Sequence, residues 1–256
     1  MNQATRAFSV CAAATAATLA APALAGRIVA SHDVNTFSSS IASRNEAQLA
    51  VNIASYLAGE GGDLLLIESS PHEFRDYSDT VIDALVGAGF SVTVDIWSDG
   101  YADRVPSLES FDAVFFGVNY GIDGSELAIP DVEQLHNFVD NGGGAYVFGG
   151  NGPNAAAEAE VLNEFLVPYG AKFSAESYDG VWDYEVDSDH EIFAGLQGST
   201  INAGIGNGLI DLDASGGLEI VQYAANGSGV IATLDVPAPG TAAALLGLAA
   251  FARRRR

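Results

Sequence analysis

FDAVFFGVNYGIDGSELAIPDVEQLHNFVDNGGGAYVFGG, Phe111 to Gly150, holds two apolar runs, Ala113 to Val118 and Ala145 to Phe148, on either side of an amphipathic stretch. Each run is apolar at successive positions rather than alternate ones, the pattern of a strand covered on both faces of a parallel sheet. The stretch between them starts at Pro130 and Asp131, which suit a first helical turn, presents Val132, Leu135, Phe138 and Val139 on one side, and stops at Gly142 to Gly144. Strand, helix, strand is the reading, and it implies an α/β layer fold.

The same grammar extends both ways. Towards the N-terminus, Arg27 to Ala30 and Asp63 to Ile67 read as strands, separated by a helix capped by Asn45 that carries Leu49, Ile53, Tyr56 and Leu57. Tyr77, Val81, Ile82, Leu85 and Val86 trace a second helix, and Val92, Val94 and Ile96 alternate, as in a strand nearer an edge. Beyond the Gly149 loop, a helix is expected to bury Ala157, Val161, Leu162, Phe165 and Leu166 and to expose Glu158, Glu160 and Glu164. After Pro168 come strand-like pieces at 171–174, 181–186, 209–212, 218–223 and 230–234, the last two joined as a hairpin. The expected architecture is a three-layer, flavodoxin-like, mostly parallel sheet with C-terminal antiparallel strands.

The two ends carry a different message. Arg6, an Ala-rich apolar run and Ala23-Leu24-Ala25 before Gly26 form the pattern of a secretory signal peptide, residues 1–25, cleaved after Ala25. Export machinery of the Sec type and signal peptidase are the implied partners. The domain then runs over 26–235. At the other end, Val236-Pro237-Ala238-Pro239-Gly240 precedes a short apolar segment, Thr241 to Ala252, and Arg253, Arg254, Arg255 and Arg256. As a helix the apolar segment reaches about 18 Å against a hydrocarbon core of about 30 Å, too short for a permanent span. The arginines favour the cytoplasmic side.

This tail, 236–256, resembles the PEP-CTERM sorting signal, with Ala238 where that family's glutamate stands. The resemblance implies recognition by an exosortase-type membrane enzyme, processing near the Pro-rich motif through Val236, Pro237 and Pro239, and delivery to the envelope or extracellular matrix, with transient anchoring in the inner membrane. The domain itself, through NIASYL, the GGG-strand-GG turn, FLVPYG and Asp189-His190-Glu191-Ile192-Phe193, resembles the class I glutamine amidotransferase-like superfold, closest to its non-amidotransferase exported relatives.

Charge and cysteine narrow the chemistry. All 33 acidic residues lie between Gly26 and Asp235, against only Arg27, Arg44, Arg75, Arg104 and Lys172. Such a surface repels nucleic acid and other polyanions and keeps an exported protein soluble. The single cysteine, Cys11, falls within the expected signal peptide, so the mature domain has no disulfide and no cysteine nucleophile. Glutamine amidotransferase activity is therefore disfavoured. The Gly-x-Ser-x-Gly elbow of serine hydrolases is absent as well.

Weaker candidates remain. Gly149, Gly150, Asn151 and Gly152, at the end of a parallel strand and the start of a helix, could hold a polar ligand. His32 and Asp33 follow the first strand and His72 the second, so all three are expected at the same carboxyl edge as that loop, for acid–base work or a metal. Asp183, Glu185 and Asp187 alternate, and Asp211 and Asp213 imitate the start of a calcium loop; either cluster could take Ca²⁺. Three functions follow: a non-catalytic exported domain that binds a polysaccharide or other matrix partner, an envelope hydrolase acting on polysaccharide through carboxylates, or a calcium-stabilised matrix protein.

Overall fold

The computed structural model describes residues 24–38, 42–68, 77–96, 107–120, 127–129, 131–149, 155–177, 183–202, 207–211, 218–224 and 227–237. The apolar runs become strands: β1 (Leu24–Ser31), β2 (Asp63–Glu68), β3 (Ser91–Ile96), β4 (Ala113–Gly117), a small hairpin of β5 (Asn119–Tyr120) and β6 (Leu127–Ala128), and β7 (Gly144–Phe148). In β2, β4 and β7 successive side chains are buried, because both faces of the sheet are covered. The pleat sends Leu64, Leu66, Phe115 and Tyr146 to one core, and Leu65, Ile67, Val114, Phe116 and Val147 to the other. Helices α1 (Arg44–Ala58) and α2 (Asp79–Gly87) cover the first face, and α3 (Val132–Asp140) and α4 (Ala155–Leu166) the second. Full burial of each such Leu or Phe contributes about 1.5–3 kcal/mol.

After α4 come β8 (Ala171–Ser177), β9 (Asp183–Glu185), β10 (Thr200–Asn202), β11 (Asn207–Asp211), β12 (Leu218–Tyr223) and β13 (Gly229–Pro237). The sheet order is β3-β2-β4-β7-β1-β13-β11-β8, with β12 also paired to β13. The first five are parallel, and β13, β11, β8 and β12 join antiparallel. Counted from β2, the parallel half has the flavodoxin-like order, with the N-terminal strand in the fifth place. The alternating strand β3 lies at the edge, and Val94 is 37% exposed there.

Local signals explain most boundaries. Ser43, not Asn45, caps α1: its hydroxyl accepts from the Asn45 amide, while the Glu46 carboxylate accepts from the Ser43 amide at 2.8 Å. A glutamate at the third helical position selects the residue three before it as its capping-box partner. Glu46 also accepts from the Asn202 amide at 2.7 Å, which ties β10 to the start of α1. Asp131 caps α3, accepting from the Gln134 amide at 2.8 Å.

The expected face of α4 needs correction. Glu158 is fully buried and Ala157 is exposed. Leu162, Phe165 and Leu166 set the phase of the helix, and a residue four before Leu162 falls on the same stripe whatever its charge.

The two ends of the domain meet. β1 and β13 pair from Gly26–Val236 to Ser31–Ile231, with Leu24 opposite Pro237. Val236 is buried, so the first two residues of the expected tail, Val236 and Pro237, close β13. Gly26 must be glycine: a Cβ there would sit 2.3 Å from Gly143 O and 2.5 Å from Val139 O. Beside it, Arg27 forms an ion pair with Asp235 at 3.3 Å, donates to Tyr56 O at 2.8 Å and lies over the Tyr56 ring. The Tyr56 hydroxyl donates to Asp235, and burial, with the nearby carboxylate, pushes its pKa up to about 12.

Candidate functional site

The order of connection reverses twice along the parallel half. β2 leads outward through α2 while β4 leads inward through α3, and β1 leads to α1 on one face while β7 leads to α4 on the other. In open α/β sheets ligands favour such points at the carboxyl ends of the strands. His32, Asp33 and Gly149 meet at the second of them, where the Gly149 amide donates to Ser31 O at 2.8 Å. His72, Gly150, Asn151 and Gly152 lie outside the described residues.

The residues brought together there are sealed. His32 is 1% exposed and Asp33 0%. Asp33 caps the short 3-10 helix Val34–Phe37, accepting from the Asn35 amide at 2.6 Å. Nδ1 of His32 lies 3.2 Å from the Val230 carbonyl, which can only accept, so this nitrogen carries a proton. Glu68, at the end of β2, accepts from the Tyr77 amide at 3.0 Å, and Tyr77 forms a bridge with Ser38. Beneath them Phe37, Phe115 and Phe148 surround Tyr146, with ring centroids 5.0–5.8 Å away. Burial raises the Tyr146 pKa above the usual range; the Ser31 hydroxyl opposes the shift and the Asp33 charge adds to it. The carboxyl edge thus uses its titratable groups to hold backbone: Asp33 the turn after β1, His32 the start of β13, and Glu68 the residue that opens the approach to α2.

The acidic clusters are laid out differently. Asp183, Glu185 and Asp187 are exposed while Tyr184 and Val186 are buried, and Asp183 accepts from the Asn202 side chain at 3.0 Å. Asp211 ends β11 opposite Ala171, and Asp213 lies outside the described residues. Among the described residues no group of three or more His, Cys, Asp or Glu is placed to hold a metal ion. No described helix is long and apolar enough to cross a membrane. Ala25 lies in β1; Ala23, Pro239 and Arg253 to Arg256 lie outside the described residues.

An open cavity lies at the other end of the sheet. It has a volume of about 600 Å³ and is bounded by the end of α1, the turn Leu108–Ser110, the start of β4 and the last turns of α3. Leu57, Leu108, Phe111 and Phe138 form its apolar surface. Gln134, Asn137 and Asn141 project along one side of α3, at intervals of three and four residues, and all three are exposed. Glu109 and Asp112 supply carboxylates. The signal for this site was present in the sequence as three side-chain amides on one helical face, but amides on an exposed face read first as solvation.

No family model, no curated protein and no solved structure matches this chain.

Proposed function

We propose that the chain is an exported protein of the cell envelope or extracellular matrix, sorted through its C-terminal tail, whose α/β domain binds a matrix component rather than converting a substrate. Export rests on the signal-like residues 1–25, and sorting by an exosortase-type enzyme rests on the resemblance of 236–256 to a PEP-CTERM signal. The observation that carries the binding reading is the burial of His32 and Asp33, whose side chains hold the start of β13 and the turn after β1 at the edge where an α/β enzyme would keep its reactive groups accessible.

The tail is tested by stopping the chain after Pro237, which leaves β13 whole. The expected result is loss of processing and of envelope retention, read by fractionation and intact mass. Unchanged localisation together with unchanged processing overturns the sorting assignment. Turnover of a polysaccharide by the purified domain, abolished by Asp33→Asn without loss of fold, overturns the binding reading in favour of a hydrolase.

A further inference from the structure

We propose that the cavity at the amino edge of the sheet is a saccharide-binding site, selective for neutral or amino-substituted sugars. The inference rests on the reading of the domain as a matrix-binding module and gives that reading a place and a ligand class. At about 600 Å³ the cavity has the size of a small-ligand pocket, with room for a short sugar segment.

Its chemistry selects the class. Gln134 and Asn137 offer side-chain amides from a capped helix, each with a donor and an acceptor group, the combination that vicinal hydroxyls require. Asn141 donates its own amide to Asn137 O at 2.7 Å, which holds that side chain in place at the rim. The Phe138 ring packs on Gly143, where a Cβ would come within 2.4 Å of the ring; it is fixed there and half-buried, an apolar surface for the C–H face of a pyranose.

Competing ligands fit poorly. Among the described residues that line the cavity, Glu109 and Asp112 are the charged ones and both are acidic, so an anionic polymer meets repulsion, whereas an ammonium group on a sugar gains attraction. A wholly apolar ligand would strip water from the amides and carboxylates without replacing their hydrogen bonds.

The test is calorimetric titration of the intact mature protein with maltotetraose, chitotetraose, a glucosamine tetramer and polygalacturonate, with amide chemical-shift mapping of the complex. Binding of a neutral or amino sugar, shifts centred on Gln134, Asn137 and Gly143, and a loss of about tenfold or more in affinity in Gln134→Ala/Asn137→Ala support the site. Ser107→Trp, which fills the cavity from its exposed rim, abolishes binding while leaving the melting temperature in place. Shifts confined to the carboxyl edge overturn this site and leave a matrix-binding domain standing. Tighter binding of polygalacturonate than of the other sugars overturns the ligand class. Absence of binding to all four overturns the inference, while the localisation of the truncated chain separately decides export and sorting.

Discussion

The two ends of the parallel sheet handle polar side chains in opposite ways. At the carboxyl edge, eight of the twelve buried polar residues of the described chain crowd around the ends of β1 and β2, Asp33 and Glu68 among them. At the amino edge, Gln134, Asn137 and Glu109 stand exposed around a cavity, beside Asp112, whose carboxylate accepts from the Asp63 amide at 2.8 Å. A buried polar group stabilises through the bonds it makes to the surrounding chain, and its burial keeps it out of reach of a ligand in solution. An exposed amide on a rigid helix contributes little to stability and remains available. The edge that fold analogy marks as the site is therefore the edge most committed to holding the molecule together.

The largest effect expected is at Asp33. Asp33→Ala removes the cap of the 3-10 helix and strands the Asn35 amide in a buried loop, which should cost about 2–3 kcal/mol in urea unfolding. A loss below about 0.5 kcal/mol would break the contrast, since the carboxylate would then be free for other work.

Alkaline pH probes the same interior. Burial raises the pKa of Tyr146, Tyr169 and Tyr184 and lifts that of Tyr56 to about 12, all above the ordinary value of 10.0. With the folded pKa raised, the unfolded chain loses its protons first. The stabilising contribution is whole below pH 10 and is lost as pH rises through the folded values, from about 12 for Tyr56 upward. The part of the tyrosinate absorbance that belongs to these four residues should appear together with the loss of circular dichroism. Titration of all nine tyrosines near pH 10, with the fold intact, would contradict the burial.

The smallest effect belongs to the amino edge. Gln134→Ala/Asn137→Ala should leave stability within about 0.5 kcal/mol of the parent, because both side chains are exposed on the outer face of α3. A larger loss would mean that these amides, too, serve the fold.

Much of the layer plan was legible. Successive apolar residues announced β2, β4 and β7, and the alternation of Val92, Val94 and Ile96 announced an edge strand, because burial on two faces or on one is written directly into side-chain periodicity. That His32, Asp33 and Gly149 would share an edge followed from strand direction. Their burial did not, since it depends on the loop bridge from Ser38 to Tyr77, a contact between distant segments. The same limit hid the burial of Glu158 and the position of β1 between β7 and β13: charge suggests solvent and sequence order suggests adjacency, but tertiary packing decides both.

The β1–β13 pairing has a consequence for the time course of folding. Residues 26–31 emerge early and find their antiparallel partner only in residues 231–236, near the far end of the domain. Until that late strand arrives, one side of β1 is an unsatisfied edge, and closing so long a loop must precede any reward from the contact. A chain made from its N-terminus therefore carries an incomplete central sheet through most of its synthesis, and the sheet locks only when Val236 reaches Gly26.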